Sequence, residues 1–219
     1  MSMRARRAIA FDLDGTLVDS ARDIHDALAA AIDDPRLTED VTRSLIGHGA
    51  RHLVERALVV TGRAQDDVDA TLARFRAIYD AAPTRHTVPY EGIPGVLSTL
   101  RARDIAIAVC TNKPAPLARV VVHELLPGLC DVVLGPEDAG AHKPDKAILD
   151  VAEARLGAPL AAFVGDSAVD VETARNKRVP CVFVTWGLGR DRPARDAMTH
   201  VVDDAASLAA SLHALLDDG

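Results

Sequence analysis

Short apolar runs rich in Val and Ile alternate along this chain with stretches in which apolar residues recur at helical spacing. Continuous apolar runs of this length are typical of parallel strands, because helices cover such strands on both faces. The alternation predicts an α/β fold, a parallel sheet with helices on both faces and a ligand site at the carboxyl ends of its strands. The predicted strands are Ala8–Phe11, Ile105–Cys110, Val132–Leu134, Ala162–Val164, Val179–Thr185 and Val201–Val202.

Residues 19–84 break this alternation, since no convincing strand occurs there. Three successive apolar stripes predict helices instead, and we interpret the segment as an all-helical insertion after the first strand. The chain returns through 88–95, which holds two prolines and two glycines and suits a linker. The predicted domains are a core of residues 1–18 and 85–219 and a helical domain of residues 19–84. The stripes are Ile24, Leu28 and Ile32; Leu53, Ala57 and Leu58; and Val68, Leu72, Phe75 and Tyr79.

Charge and composition argue against several classes of partner. The 219 residues include 25 Lys and Arg against 32 Asp and Glu, a formal net charge of −7. Nucleic-acid binding needs a basic surface or a platform of stacked aromatic rings, and aromatic residues make up only 3% of this chain. We therefore predict a small-molecule partner and no nucleic acid.

The sequence also predicts where the protein resides. Its longest stretch without a formal charge, Ala205–Leu216, is shorter than the roughly 20 apolar residues of a membrane span. The segment Met1–Arg7 leads straight into the first strand and leaves no room for the apolar part of a secretion signal. The three cysteines are odd in number, lack C-x-x-C spacing and are interpreted as reduced. We predict a cytoplasmic protein without membrane association.

Two acidic pairs follow predicted strands. Asp12 and Asp14 end the first strand, and Asp166 and Asp170 follow the strand Ala162–Val164. Taken alone, the first pair fits a solvated Asp-x-Asp-Gly turn equally well. Carboxylates from two strand ends at one edge of a parallel sheet, however, repel one another unless a cation joins them. Oxygen ligands beside phosphates favour Mg²⁺ as that cation.

Other strand ends carry groups suited to an anion. Thr111, Asn112 and Lys113 follow the strand Ile105–Cys110, and a helix predicted to start at Pro114 directs its first amides toward the same edge. Lys143, also followed by proline, comes after the next strand. Either lysine alone fits an ordinary surface residue, and composition does not rank the two.

These motifs together resemble those of the haloacid dehalogenase-like phosphohydrolase superfamily, through essentially the whole chain. The stretch 12–16, Asp-Leu-Asp-Gly-Thr, resembles its first motif, Thr111 its second, Lys143 its third, and Gly165-Asp166 with Asp170 its fourth. The resemblance implies a Rossmann-like core with an inserted all-helical cap domain.

The resemblance also implies roles for these residues. Asp12 would be the nucleophile that forms an aspartyl-phosphate, and Asp14 the general acid and then the base. Thr111 and Lys143 would bind the phosphoryl oxygens. Mg²⁺ would be held by Asp12, Asp166 and the backbone carbonyl of Asp14, while Asp170 would steady Lys143 or a metal-bound water.

The helical insertion resembles the cap of the phosphoglycolate phosphatase-like subfamily. The turn Ile46-Gly47-His48-Gly49 with Arg51, and the run Thr111-Asn112-Lys113-Pro114, match that pattern. Gly47, His48, Arg51 and Asn112 are thereby predicted to bind substrate, although Arg51 fits a solvated helix face equally well. Lys113 is left as a possible entrance residue. Arg178 departs from the pattern, because glycine is usual there, and we expect its turn to differ or to be slightly strained.

The predicted function is Mg²⁺-dependent hydrolysis of a small anionic phosphate monoester, with 2-phosphoglycolate as the leading substrate. A phosphosugar mutase of the same superfamily is the nearest alternative, since it would use the same two carboxylates at 12 and 14. A non-enzymatic phospho-acceptor or phosphate-binding module is the alternative from another class, but it gives no reason for Asp14 or for the helical insertion. The pattern leaves monomer and homodimer open.

Overall fold

Six strands form one parallel sheet in the computed structural model, which describes residues 6–189 and 192–217. The strand order is β5-β4-β1-β6-β7-β8, and β2 and β3 pair separately. All six predicted strands are confirmed: two have the predicted ends, and the ends of the other four differ by at most two residues. The outer limits of the predicted core, Met1 and Gly219, lie outside the described residues. The strands are β1 (Ala8–Phe11), β2 (Val18–Asp19), β3 (Val88–Pro89), β4 (Ala106–Cys110), β5 (Val132–Leu134), β6 (Leu160–Gly165), β7 (Cys181–Val184) and β8 (Thr199–Val202).

The described residues also form ten helices, which cover both faces of the sheet and build the insertion. Four of them, α1 to α4, fall inside the segment predicted to be all-helical. No helix among the described residues is long and apolar enough to cross a membrane. The helices are α1 (Ala21–Ile32), α2 (Glu39–Arg43), α3 (Ala50–Val60), α4 (Val68–Tyr79), α5 (Ile93–Ala102), α6 (Ala115–Leu125), α7 (Pro136–Ala139), α8 (Ala147–Leu156), α9 (Ala168–Lys177) and α10 (Ala205–Asp217).

Strand β1 lies at the centre of the sheet, between β4 and β6, and all four of its residues are fully buried. Successive side chains of a strand point to opposite faces. Ile9 and Phe11 accordingly enter one hydrophobic cluster, whereas Ala8 and Ala10 enter the cluster on the other face. The chain that leaves β1 is therefore fixed from both sides just before the first acidic pair.

The four helices of the insertion pack around a hydrophobic cluster that also includes Leu117 of α6. Leu28 of α1, Leu58 of α3 and Phe75 of α4 are almost fully buried in it. Helix α1 packs against α4, and the stripes predicted from the sequence supply most of the cluster. The domain limits at 18–19 and 84–85 stay a prediction.

The chain enters and leaves the insertion through two hydrogen-bonded strands. Strands β2 and β3 are antiparallel, with Val18 opposite Pro89 and Asp19 opposite Val88. The predicted linker over 88–95 is too long, because helix α5 begins at Ile93 with proline in its first turn. Proline fits there, since the first turn of a helix has no internal partner for its amide.

The three cysteines stand apart from any disulfide among the described residues. Cys110, Cys130 and Cys181 are free thiols, and the first and last are buried. Burial raises the pKa of Cys110 to about 12, so this thiol stays protonated and acts as a small apolar side chain.

Arg178 ends helix α9 in a left-handed conformation, with φ 63° and ψ 42°, which fits the slightly strained turn that we expect there. A side chain at positive φ is strained because its Cβ crowds the backbone. We expect Arg178→Gly to raise the free energy of unfolding by about 0.5–1 kcal/mol, measured by urea denaturation.

Asp33 provides the matched control for this substitution. It ends α1 with φ 53°, but aspartate tolerates the left-handed region better than arginine does. Asp33→Gly should therefore gain less stability. Equal gains at both positions, or none at Arg178, would contradict the strain assigned to Arg178.

Candidate active site

Three buried carboxylates meet at the carboxyl edge of the sheet. Asp12 directly follows β1, Asp166 directly follows β6, and Asp170 lies in the first turn of α9. One oxygen from each lies within 4.8 Å of the others, and the three residues are 7%, 3% and 0% exposed. Such a cluster is unfavourable without a cation, because like charges repel more strongly away from water.

Lys143 supplies part of the compensating charge. Its Nζ lies 2.8 Å from Asp12 Oδ1 and 2.7 Å from Asp170 Oδ1, and its side chain is almost fully buried. Asp170 is held in turn by Ser167, whose backbone amide and hydroxyl both donate to Oδ2 at 3.0 and 2.6 Å. Asp170 thereby orients Lys143 toward Asp12.

One lysine does not balance three carboxylates. Burial raises the pKa of Asp12 to about 7, although the Lys143 ammonium opposes the shift. Burial and the nearby Asp170 raise the pKa of Asp166 to about 6, although amides donate to it. Asp12 Oδ1 is buried and accepts no well-aligned hydrogen bond beyond its ion pair. The cluster is therefore short of positive charge.

The donor set fits Mg²⁺. Carboxylate oxygens are the ligands that this ion prefers, and it carries the missing charge. Asp166 is fixed for such a role, because the amides of Leu188 and Gly189 donate to its Oδ2 at 2.7 and 3.0 Å. At Gly15 (φ +85°) a Cβ would lie 2.3 Å from the same oxygen, so only glycine lets this loop pass there.

Asp14 lies apart from this cluster and has its own partners. Its Oδ1 accepts hydrogen bonds from Ser20 Oγ at 2.6 Å and from Lys113 Nζ at 3.0 Å. Lys113 Nζ also donates to Tyr79 Oη at 2.6 Å, which connects the core to helix α4. Burial lowers the pKa of Lys113, but Asp14 and Tyr79 raise it by more, so the ammonium stays charged.

The suggestion that Lys113 stands at the entrance is wrong. This residue is 6% exposed, and its side chain is enclosed between Asp14 and the Tyr79 ring. The sequence marks Tyr79 only as part of an apolar helix stripe. Nothing in the spacing of these residues indicates that the hydroxyl at the end of that stripe meets a lysine of the core.

Thr111 and Asn112 follow β4, as predicted. Thr111 is buried, and its hydroxyl accepts a hydrogen bond from the amide of Lys113 at 3.2 Å. The Asn112 amide donates to the carbonyls of Gly47 and Lys143 at 3.0 and 3.2 Å, and its Oδ1 accepts from the Lys143 amide at 2.8 Å. The Asn112 side chain thus ties the insertion and the Lys143 loop to the core, and these bonds leave it no free donor for a substrate.

The remaining residues predicted to bind substrate lie between α2 and α4. Gly47 has φ +125° in the turn before α3. The centre of the His48 ring lies 4.8 Å from that of His52, with the two rings tilted, and burial is the main cause that lowers the pKa of His48. Arg51 forms ion pairs with Asp69 and with Glu55. Its guanidinium is therefore engaged by the insertion's own acidic residues.

Two cavities open between the sheet edge and the insertion. The inner cavity, of about 70 Å³, is lined by Asp12, Asp14 and Thr111 from the core and by Phe75, Arg76 and Tyr79 from α4, among others. The outer cavity, of about 430 Å³, is lined by His48, Arg51, Arg76 and His142, among others. Gly49, Ala50, Arg76, Asn112 and Pro114 border both cavities, so the cavities adjoin one another.

A family model described as haloacid dehalogenase-like hydrolase matches residues 6–176. The chain belongs to this family. This match confirms the predicted family, the six-stranded parallel sheet confirms the predicted fold class, and relatives named phosphoglycolate phosphatase confirm the phosphatase-type enzyme. The clustered carboxylates of this haloacid dehalogenase-like hydrolase lie within the matched range.

Proteins named phosphoglycolate phosphatase are among the relatives of this hydrolase. One from Rhodospirillum rubrum is 40% identical over 216 residues, which cover 92% of this chain and 89% of the relative. Another, from Caulobacter vibrioides, is 37% identical over 187 residues, covering 82% and 79%. The crystal structure of a protein from Haemophilus somnus, described as a predicted phosphoglycolate phosphatase, superimposes with a TM-score of 0.83 at 25% identity and covers 96% of this chain and all of that one.

Proposed function

We propose that this hydrolase cleaves a small anionic phosphate monoester through an aspartyl-phosphate on Asp12, with 2-phosphoglycolate as the leading substrate. The observation that carries the proposal is the buried group of Asp12, Lys143 and Asp166, in which a carboxylate nucleophile has a lysine at 2.8 Å. The names of the relatives support the substrate. Cytoplasmic location and the open choice between monomer and homodimer remain predictions.

The phosphoryl group would bind at the sheet edge, between Thr111 and Lys143. Catalysis of phosphoryl transfer depends mainly on positioning the reacting groups and on neutralising the charge of the phosphoryl oxygens. When bound by Asp12, Asp166 and the Asp14 carbonyl, Mg²⁺ supplies positive charge to the phosphoryl oxygens. Asp170 keeps the Lys143 ammonium pointed at the same place.

In the first step, a carboxylate oxygen of Asp12 forms a bond to phosphorus while the bond from phosphorus to the ester oxygen breaks. Asp14 gives a proton to the departing oxygen, which leaves as an alcohol. Asp14 must release Lys113 before it can hold that proton. Tyr79 Oη offers Lys113 a second partner at 2.6 Å, so the ammonium is not left alone in a buried site.

In the second step, water attacks the phosphorus of the aspartyl-phosphate, and its proton passes to Asp14. The bond between phosphorus and Asp12 then breaks, which restores the Asp12 carboxylate and releases inorganic phosphate. Asp14 thus acts as a base in this step and regains the proton that it gave up as an acid in the first step.

The test is phosphate release from a panel of esters: 2-phosphoglycolate, sugar phosphates, nucleotides and pyrophosphate. We expect turnover in Mg²⁺ that is fastest on 2-phosphoglycolate. EDTA should reduce the rate by at least about a hundredfold, because the carboxylate cluster then lacks its cation, and added Mg²⁺ should restore it. If turnover is fastest on another ester, that ester replaces 2-phosphoglycolate as the proposed substrate, and the proposed mechanism stands. No release from any ester would contradict the proposal.

A further inference from the structure

A substrate with a carboxylate as well as a phosphate needs a second positive group in the cavity, and most of the basic side chains there are already engaged. Lys143 is paired with Asp12 and Asp170, and Lys113 is paired with Asp14. The sequence suggested Arg51, but the insertion's own acidic residues hold its guanidinium.

His48, which lines the outer cavity together with Arg51 and His142, offers little charge. Burial is the main cause that lowers the pKa of His48, and His52 adds to the effect. A histidine whose pKa lies below its ordinary value is mostly neutral at pH 7. It can donate one hydrogen bond to an anion, but it does not neutralise a carboxylate.

Arg76 differs from these groups. It lies on α4 and lines both the inner cavity, which contains Asp12, and the outer cavity. Its side chain forms no ion pair or hydrogen bond with any residue of 6–189 or 192–217. Arginine is charged at every relevant pH, so the border of the two cavities carries an unpaired positive charge.

The helix holds the backbone of Arg76 in a fixed place at the exposed border of the cavities. Phe75 precedes Arg76 and is 3% exposed, and Tyr79, one turn later, is 5% exposed. Their rings stack at 5.5 Å, and the Tyr79 hydroxyl meets Lys113 of the core. The backbone of Arg76 is therefore anchored on both sides, while its side chain is free to meet a ligand.

We propose that Arg76 is the residue that selects the substrate by binding its carboxylate while the phosphoryl group lies at Asp12. This inference rests on the proposed function. A guanidinium binds a carboxylate through two parallel hydrogen bonds, which adds direction to the charge. Asp80, which caps the C-terminus of α4, also lines the inner cavity. Its carboxylate repels an anion, so carboxylate binding on this wall depends on Arg76.

The test compares two phosphate esters, of which only one carries a carboxylate. In ethyl phosphate, a methyl group replaces the carboxylate of 2-phosphoglycolate. We expect Arg76→Met to lower kcat/KM for 2-phosphoglycolate by about 10- to 100-fold, the range for loss of one charge-assisted contact. The value for ethyl phosphate should change by less than about threefold, and Arg76→Lys should retain part of the preference.

Arg74 gives the matched control, because it lies on the same helix and lines neither cavity. Its guanidinium donates to the Ala31 carbonyl and to Thr71 Oγ1. Arg74→Met should leave the ratio of kcat/KM for the two esters unchanged. The inference is overturned if Arg76→Met also leaves this ratio unchanged, or if Arg51→Met moves it instead. A wild-type protein that hydrolyses neither ester would overturn the proposed function itself.

Discussion

Asp12→Asn is expected to reduce phosphate release by at least about a thousandfold, the scale on which enzymes lose activity when their nucleophile is removed. The amide has nearly the same shape as the carboxylate, but its oxygen is a much weaker nucleophile toward phosphorus. The substitution also removes one of the three negative charges at the sheet edge. Release should be measured with saturating Mg²⁺ and 2-phosphoglycolate.

The same variant should fold. Asp12 is buried near Asp166 and Asp170, and burial raises its pKa to about 7, so a neutral side chain relieves repulsion there. We expect a melting temperature equal to or above that of the wild type. Asp203→Asn, a change at an exposed carboxylate, serves as the control and should alter neither property. Activity near the wild-type value in Asp12→Asn would contradict the role of Asp12.

Lys143→Met should give the largest loss of stability. The substitution keeps the length of the side chain but removes the cation that faces Asp12 and Asp170. Breaking a buried ion pair by removing one partner costs about 3–5 kcal/mol, because the remaining charge stays buried and uncompensated. The free energy of unfolding is to be measured by urea denaturation in EDTA, so that no added ion replaces the missing charge.

Lys113→Met is the matched comparison. Lys113 is similarly buried, but it faces one carboxylate, Asp14, which also accepts from Ser20, whereas Lys143 faces two. Water and Ser20 can satisfy Asp14 after the lysine is removed, so the loss should be clearly smaller. Equal losses of stability in the two variants would contradict the view that the buried negative charge of the site lies mainly at Asp12 and Asp170.

Much of the fold follows from local pattern. Each predicted strand of the sheet is a largely apolar run, and a parallel sheet covered on both faces buries the central strands completely and the edge strands in part. The end of the linker before α5 was harder to predict from the sequence, because Pro94 and Gly95 occur both in linkers and near the start of a helix. Only packing against the core decides between these alternatives.

The residues of the site likewise include some that the sequence can locate and some that only the tertiary structure reveals. Asp12, Thr111 and Asp166 could be placed from the sequence because each follows a predicted strand, and parallel strands bring their carboxyl ends to one edge of the sheet. Arg51 and Arg76 could not be ranked from sequence, since the difference between them is a tertiary ion pair with Asp69. The contact between Lys113 and Tyr79 likewise joins residues 34 positions apart.

The pairing of β2 with β3 has a consequence for how this family diversifies. Because Asp19 and Val88 are opposite one another in a ladder, the two cuts needed to remove the whole insertion leave neighbouring chain ends. A different helical unit can be joined at that position without altering the order of the sheet strands. Under the proposed function, evolution can thus exchange the helical unit that selects the substrate, while the catalytic residues of the core are kept.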